Sequence, residues 1–111
     1  MRKDALLGQS ELLVMLAVLR LGREAYGVPV SREISKRAGR NVAVAGIYST
    51  LERLEDKGLI KASVREPTAV RGGRAKTCFQ LTAEGLRQVR SSQRTLERFW
   101  SGIRELEALK R

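Results

Sequence analysis

Residues 42–58, VAVAGIYSTLERLEDKG, form the stretch of sequence that decides the fold. Apolar side chains recur in it at spacings of three and four residues, as on one face of a helix: Val44, Ile47, Leu51 and Leu54. Small or polar side chains fall on the opposite face: Ala45, Ser49, Arg53 and Asp56. Gly58 suits the left-handed conformation that often follows a helix. We therefore predict an amphipathic helix from Val42 to Lys57.

A shorter helix comes before this one in the chain, and a tight turn joins the two. Val28-Pro29 suits the start of a helix, because proline is tolerated in the first turn. Val30 and Ile34 then follow at four-residue spacing up to Gly39, and Arg40-Asn41 leads into the next helix. The pattern predicts a helix-turn-helix.

The chain before this unit is predicted to form a helix from about Gln9 to Leu21, with Ser10 as its N-cap and Gly22 at its end. The run from Leu12 to Leu19 leaves no polar face, so the helix must be covered on nearly every side. Its cover is either the chain's own core or, in part, a second subunit.

Two strand-like runs follow Gly58, namely 59–65 and 77–81, with a segment between them that is rich in turn residues and positive charge. Thr82 is placed to cap a last helix, from Ala83 to about Leu109. The predicted fold is mainly α with a small two-stranded β-wing. It is a winged helix-turn-helix over residues 1–82 with a long C-terminal dimerisation helix over residues 83–111.

The composition favours a polyanionic partner. The 111 residues include 22 Lys and Arg against 12 Asp and Glu, a net charge of +10. Nucleic acid is the leading partner and a membrane surface the second, while a basic surface that only aids solubility is the alternative. A single cysteine and no histidine exclude a Cys/His zinc cluster. We expect a cytoplasmic protein without a secretion signal, a membrane span, a metal or another cofactor.

The predicted wing carries charge of one sign. Five basic residues lie between positions 61 and 76 against the single acid Glu66. Arginine offers forked donors to phosphate oxygens, and Gly72-Gly73 lets the backbone approach a duplex closely. Three partners of the Arg53 side chain are considered: a base, a phosphate, or Glu52 or Asp56 within the same helix. The candidate DNA contacts are Asn41, Tyr48, Ser49, Thr50, Arg53, Arg65, Arg71, Gly73, Arg74 and Lys76.

The last helix has a wide apolar stripe that a small core cannot cover, which favours a partner helix from a second copy. Trp100 near a dimer axis can also stack a flat ligand, although interface packing is the more common role for such a tryptophan. Arginines at 87, 90, 94 and 98 are interpreted as a solvated face. The candidate dimer contacts are Leu12, Met15, Leu16, Leu96, Phe99, Trp100, Ile103 and Leu106.

Five segments together resemble the PadR family of bacterial transcriptional regulators, over about residues 9 to 86. They are the apolar run 12–19, Ala25-Tyr26-Gly27, the stretch 46–60, Arg71-Gly72-Gly73-Arg74 and the run 81–85, LTAEG. The resemblance implies a homodimer joined through the C-terminal helix and a roughly palindromic operator. It also implies repression in most members and a small aromatic effector in some.

The chain departs from the family pattern at two places. Ala43 stands where the family commonly has serine at the start of the recognition helix, so we expect capping by Asn41 or a shifted helix start. Cys78-Phe79 stands where an aromatic pair is common on the second wing strand. The first departure bears on base contacts, and the second bears on wing packing.

Two other classes of function compete with a sequence-specific regulator. An architectural or RNA-binding module would use the same positive wing through backbone contacts alone. An enzyme is disfavoured, because no catalytic constellation or phosphate-binding glycine fingerprint is found in the sequence. A membrane-surface protein lacks the basic amphipathic helix with lipid-facing aromatics that it needs.

Overall fold

The computed structural model describes residues 7–65 and 76–109, apart from the side chain of Arg65. The elements in chain order are α1 (Gln9–Leu21), a 3-10 turn (Gly22–Glu24), α2 (Gly27–Ala38), α3 (Val44–Asp56), β1 (Ile60–Arg65), β2 (Lys76–Leu81), α4 (Ala83–Trp100) and α5 (Arg104–Glu107). The helices and the two strands have the predicted order and kind, so the winged helix-turn-helix architecture is confirmed.

Helix α1 lies at the centre and packs against α2, α3, α4 and β2. The largest fully buried side chains come from α1, α2, α3 and β1: Met15, Leu51, Leu54, Ile60, Val14 and Val30. Met15 was expected at a dimer interface, and this expectation is wrong because its side chain is wholly buried in the chain's own core. The chain's own core covers the helix only in part, since Leu13, Leu16 and Leu19 are exposed in the single chain.

The wing is an antiparallel pair whose register runs from Ile60 opposite Leu81 to Arg65 opposite Lys76. Its second strand is also tied to the segment before α2. The Phe79 N–H donates to the carbonyl of Ala25 at 2.9 Å, and Tyr26 forms a bridge with Cys78. The root of the wing is thereby fixed to the helical core.

Helix α4 is docked by its first turn. The Thr82 hydroxyl accepts from the Gly85 N–H at 3.0 Å and donates to the carbonyl of Gly58 at 2.8 Å, so the predicted cap is confirmed. Gly85 lies against the backbone of Leu59, and a Cβ there would overlap the Leu59 carbonyl oxygen. Only glycine permits this approach.

The far end of this helix differs from the prediction of one helix to about Leu109. Helix α4 ends at Trp100, Ser101 is extended, and Gly102 has a φ of 78°. A left-handed residue cannot continue a right-handed helix, so the chain turns before the short helix α5. Two other expected boundaries also shift: the N-cap of α1 is Gly8 rather than Ser10, and α3 begins at Val44 rather than Val42.

Candidate nucleic-acid interface

The turn between α2 and α3 is fixed by two serines of α2. The Ser31 hydroxyl donates to the carbonyl of Val42 at 3.2 Å, and the Val42 N–H donates to the hydroxyl of Ser35 at 3.0 Å. Sequence reasoning missed both serines. Their four-residue spacing, which places them on one face of α2 just before the turn, was the available signal.

The first turn of α3 has Ala43 at its N-cap, so no side chain there can accept a hydrogen bond. The expected cap from Asn41 is not seen: Asn41 lies exposed in the turn, and the helix start shifts by two residues instead. Val44, expected in the core, is partly exposed as a result. The turn is therefore held from α2 rather than by its own cap.

Helix α3 packs on the core with Ile47, Leu51 and Leu54, which are buried as predicted. Thr50 joins this face and is not a surface residue. Its hydroxyl donates to the carbonyl of Gly46 at 3.0 Å. Its expected role as a DNA contact is therefore wrong, because the only polar group of the side chain is buried and used inside the helix.

The outward face of the first turns is small and uncharged, with Ala45, Gly46 and Ser49 exposed. Tyr48 is also exposed, and its hydroxyl lies against Gly27 at the start of α2, where a Cβ would overlap the ring and the hydroxyl. This contact explains the glycine of the Tyr26-Gly27 pair in the sequence. Glycine at position 27 makes room for a tyrosine that belongs to the recognition helix.

The later turns of α3 are tied to α1 through a buried carboxylate. Glu11 Oε2 accepts from Lys57 Nζ at 2.7 Å and from Arg53 Nε at 3.3 Å, and Glu11 Oε1 accepts from the Gly8 N–H at 3.1 Å. Burial alone raises the pKa of Glu11, but the hydrogen bonds from Lys57, Gly8 and Arg53 outweigh it and hold the pKa below its ordinary value. The intrahelical partners considered for Arg53 are replaced by Glu11, which sequence reasoning did not single out.

At the wing, the ammonium of Lys76 lies 5.1 Å from the centroid of the Tyr26 ring, a cation–π geometry. Arg65 is opposite Lys76 in the register. The expected contacts at Arg71, Gly73 and Arg74 lie outside the described residues. The two expected DNA contacts in the described part of the wing, Arg65 and Lys76, therefore form the last described pair of the two strands.

The expected dimer residues other than Met15 have accessible side chains. Phe99 and Trp100 are 75% and 61% exposed, and Leu16, Leu96, Ile103 and Leu106 are also exposed, while Leu12 is half-buried. Within the described residues no group of three acidic, cysteine or histidine side chains is placed to hold a metal ion. None of the described helices is long and apolar enough to cross a bilayer.

The fold and the exposed start of α3 define the winged helix-turn-helix class of DNA-binding proteins. Within that class, the sequence profile described as "Transcriptional regulator PadR-like family" matches residues 15–91. The chain belongs to this family, and it is a DNA-binding transcriptional regulator.

Solved structures agree with this assignment. A PadR family regulator from Eggerthella lenta has 25% identity and a TM-score of 0.66, over 88% of this chain and 83% of that one. One from Clostridium difficile has 26% identity and a TM-score of 0.62, over 84% and 91%. A PadR-like regulator from Bacillus cereus, at 19% identity, shares the fold with a TM-score of 0.69 over 89% and 94%. Comparison with curated proteins gives no significant match.

Proposed function

We propose that this chain is a cytoplasmic repressor that binds an inverted-repeat operator as a homodimer. The observation that carries the proposal is the outward face of α3. Its first two turns expose Ala45 and Ser49 with no charge between them, whereas the acids Glu52, Glu55 and Asp56 lie in the later turns. A short, uncharged helix start can approach base edges closely, and acidic side chains are repelled by phosphates.

The proposed contacts divide between bases and backbone. Ser49 is the side chain on the first turns of α3 that reaches a base edge, and Tyr48 and Asn41 bind the backbone beside it. The wing cations Arg65, Arg71, Arg74 and Lys76 bind phosphates, with Gly73 allowing close approach. In this proposal much of the affinity comes from the wing, and the sequence specificity comes from the first two turns of α3. In this division residues 1–82 bind DNA and residues 83–111 join the two subunits.

Dimerisation is supported by exposed apolar surface at the end of α4, on α5 and on the residues that flank α5. Six large side chains there are accessible in the single chain: Leu96, Phe99, Trp100, Ile103, Leu106 and Leu109. A monomer that left this group in water would aggregate or recruit a partner. A second copy is the proposed cover, with Leu12 and Leu16 of α1 alongside.

A small aromatic effector is proposed to stack on Trp100. Trp100 is the single tryptophan of the chain, so its fluorescence reports on this position alone. Titration with planar aromatic compounds should quench it at saturable, stoichiometric concentrations. Linear, non-saturating quenching by every compound would remove the effector from the proposal.

The test of the main proposal is selection of bound sequences from a random DNA pool at moderate salt. An enriched inverted repeat with half-sites about one helical turn apart is expected. Enrichment of no motif would overturn the proposal in favour of a backbone-binding module, which the basic wing alone would serve. Repression is then measured with the recovered operator placed across a reporter promoter, where a rise in expression on adding the protein would contradict it.

Base readout is tested with Ser49→Ala, which removes the exposed serine hydroxyl from the outward face of α3, the face proposed to read bases. The operator preference should fall by roughly tenfold, as expected for a polar base contact worth about 1–3 kcal/mol. Binding to a scrambled duplex should stay unchanged. Thr50→Val, which alters the neighbouring buried hydroxyl, is the matched control and should leave the preference intact in folded protein.

A further inference from the structure

The carboxylate of Glu11 lies between two elements with different tasks. Glu11 is in the first turn of α1, and its side chain is only 8% exposed. It is oriented by the Gly8 N–H, which donates to Oε1 at 3.1 Å and leaves Oε2 for Arg53 of α3 and for Lys57, the C-cap of that helix. The carboxylate is thus a buried, fully hydrogen-bonded anchor rather than a surface charge.

Arg53 and Lys57 continue the row of residues that begins with Ala45 and Ser49, the side chains proposed to face the bases. Ala45, Ser49, Arg53 and Lys57 follow one another at four-residue spacing, which places them along one ridge of the helix. The guanidinium of Arg53 and the ammonium of Lys57 both donate to Glu11 Oε2, yet their side chains remain 51% and 47% exposed. They are close enough to solvent to find another anion if Glu11 releases them.

We propose that Glu11 is a specificity-determining positioning residue, because it holds Arg53 and Lys57 on α1 and withholds them from the DNA backbone. The inference rests on the proposed sequence-specific DNA binding. Two free cations on the reading ridge would bind phosphates of any sequence, since phosphate contacts carry no sequence information. Because Glu11 pairs with both cations, only the uncharged start of this row contacts DNA. The affinity for non-specific DNA is thereby lowered relative to the affinity for the operator.

The same contacts orient the recognition helix. The amino end of α3 is held from α2 by Ser31, and its carboxyl end is held from α1 by Glu11. A helix fixed at both ends enters a groove at one angle, so the anchor at Glu11 supports the register that base readout needs.

The test uses Glu11→Gln, which keeps the size of the side chain and the acceptor for the Gly8 N–H. Affinity is measured by fluorescence anisotropy on the selected operator and on a scrambled duplex of equal length, over a series of salt concentrations. The variant should bind the scrambled duplex about three- to tenfold more tightly. The slope of log K against log salt should steepen by about 0.9 for each further phosphate that a released cation neutralises.

The matched control is Glu24→Gln, which removes the same charge from an exposed position outside α3. It should leave the salt slope unchanged, because it frees no cation. The triple variant Glu11→Gln, Arg53→Gln, Lys57→Gln should return the slope to that of the unaltered protein. Equal weakening of both duplexes by Glu11→Gln, with no change of slope, would show a merely structural role and overturn the inference.

Two further single variants decide the matter even if Glu11→Gln unfolds. Arg53→Gln and Lys57→Gln are made separately, so that the buried carboxylate of Glu11 keeps one cationic partner in each. Each should leave the salt slope as it is, because neither cation binds phosphate in the unaltered protein. A slope shallower by about 0.9 in either variant would mean that the residue already binds DNA, and the inference would be wrong. Failure to find any operator would instead overturn the proposed function, so the two failures are distinguishable.

Discussion

Helices α3 and α4 have similar apolar stripes in the sequence but very different surroundings in the structure. Helix α3 is held along its length by α2, α1 and the core, and Ile47, Leu51 and Leu54 of its stripe are buried, while Val44 at its start is partly exposed. Helix α4 is docked by its first turn at Gly85, whereas Phe99 and Trp100 at its far end are mostly exposed. The same periodicity therefore serves the core of one chain in α3 and a proposed subunit interface in α4.

The largest expected effect comes from breaking the docked end of α4. Gly85→Ala places a methyl group against the carbonyl of Leu59, a backbone atom that cannot move aside as a side chain can. We expect a loss of about 2–4 kcal/mol in the free energy of unfolding, measured by urea denaturation.

The control for this substitution is Gly46→Ala in α3. Within the described part of the chain, nothing lies within 4 Å of a Cβ at Gly46. Alanine there should stabilise the protein by about 0.5–1 kcal/mol, because it restricts the unfolded chain and favours the helix. Equal effects of the two alanines would mean that α4 is not docked as described.

The second effect concerns the exposed end of α4. Trp100→Ala should weaken self-association by roughly 30-fold or more, the size expected for an interface tryptophan. The far-ultraviolet circular dichroism should stay that of a folded chain, because Trp100 is not part of the monomer core. Light scattering after size-exclusion chromatography measures the change.

Val28→Ala is the control for Trp100→Ala, since Val28 is exposed on α2 and is not among the expected dimer residues. It should leave the molar mass unchanged. A monomer in the unaltered protein, or unfolding by Trp100→Ala, would contradict the contrast between the two ends of α4.

Sequence reasoning succeeded where one local rule decided the structure. Spacing predicted the buried face of α3, and Thr82 predicted the start of α4. It failed at Met15, Val44, Thr50 and the end of α4. Periodicity shows which side chains share a face but not whether the cover is the chain itself or a second copy, so Met15 was assigned to the wrong surface.

The contacts that hold the proposed interface were harder to predict for a different reason. Glu11 meets Lys57 across 46 positions of sequence, and Ser35 meets Val42 through a turn that has no cap of its own. Such pairs depend on how α1, α2 and α3 cross, which propensity and spacing do not specify. The closeness of Gly27 to Tyr48 is of the same kind, although the family pattern marked both residues.

The third effect concerns the contact between Gly27 of α2 and Tyr48 of α3. Gly27→Ala displaces the ring of Tyr48, because a Cβ at position 27 overlaps it. The ring is the end of a flexible side chain, so we expect a stability loss below about 1.5 kcal/mol but a roughly tenfold weaker operator complex. Gly27→Ala combined with Tyr48→Ala should recover the stability without the affinity. Full affinity in Gly27→Ala would show that the place of Tyr48 does not matter for DNA binding.

The smallest effect is a pH dependence at the anchor between α1 and α3. The folded pKa of Glu11 lies below its ordinary value of 4.5, because hydrogen bonds from Lys57, Gly8 and Arg53 outweigh the effect of burial. The ionised carboxylate therefore stabilises the fold at pH above about 4.5, and this contribution is lost as pH falls through the folded pKa.

Stability measured by urea denaturation should therefore fall more steeply toward acid in the unaltered protein than in Glu11→Gln. The pKa of Glu33 is also lowered, by Arg37, but Glu33 is present in both proteins, so its effect cancels in this comparison. Parallel curves would show that the contacts of Glu11 with Arg53 and Lys57 do not hold α3 in solution. The position of α3 would then be set by its buried apolar face and its amino end alone.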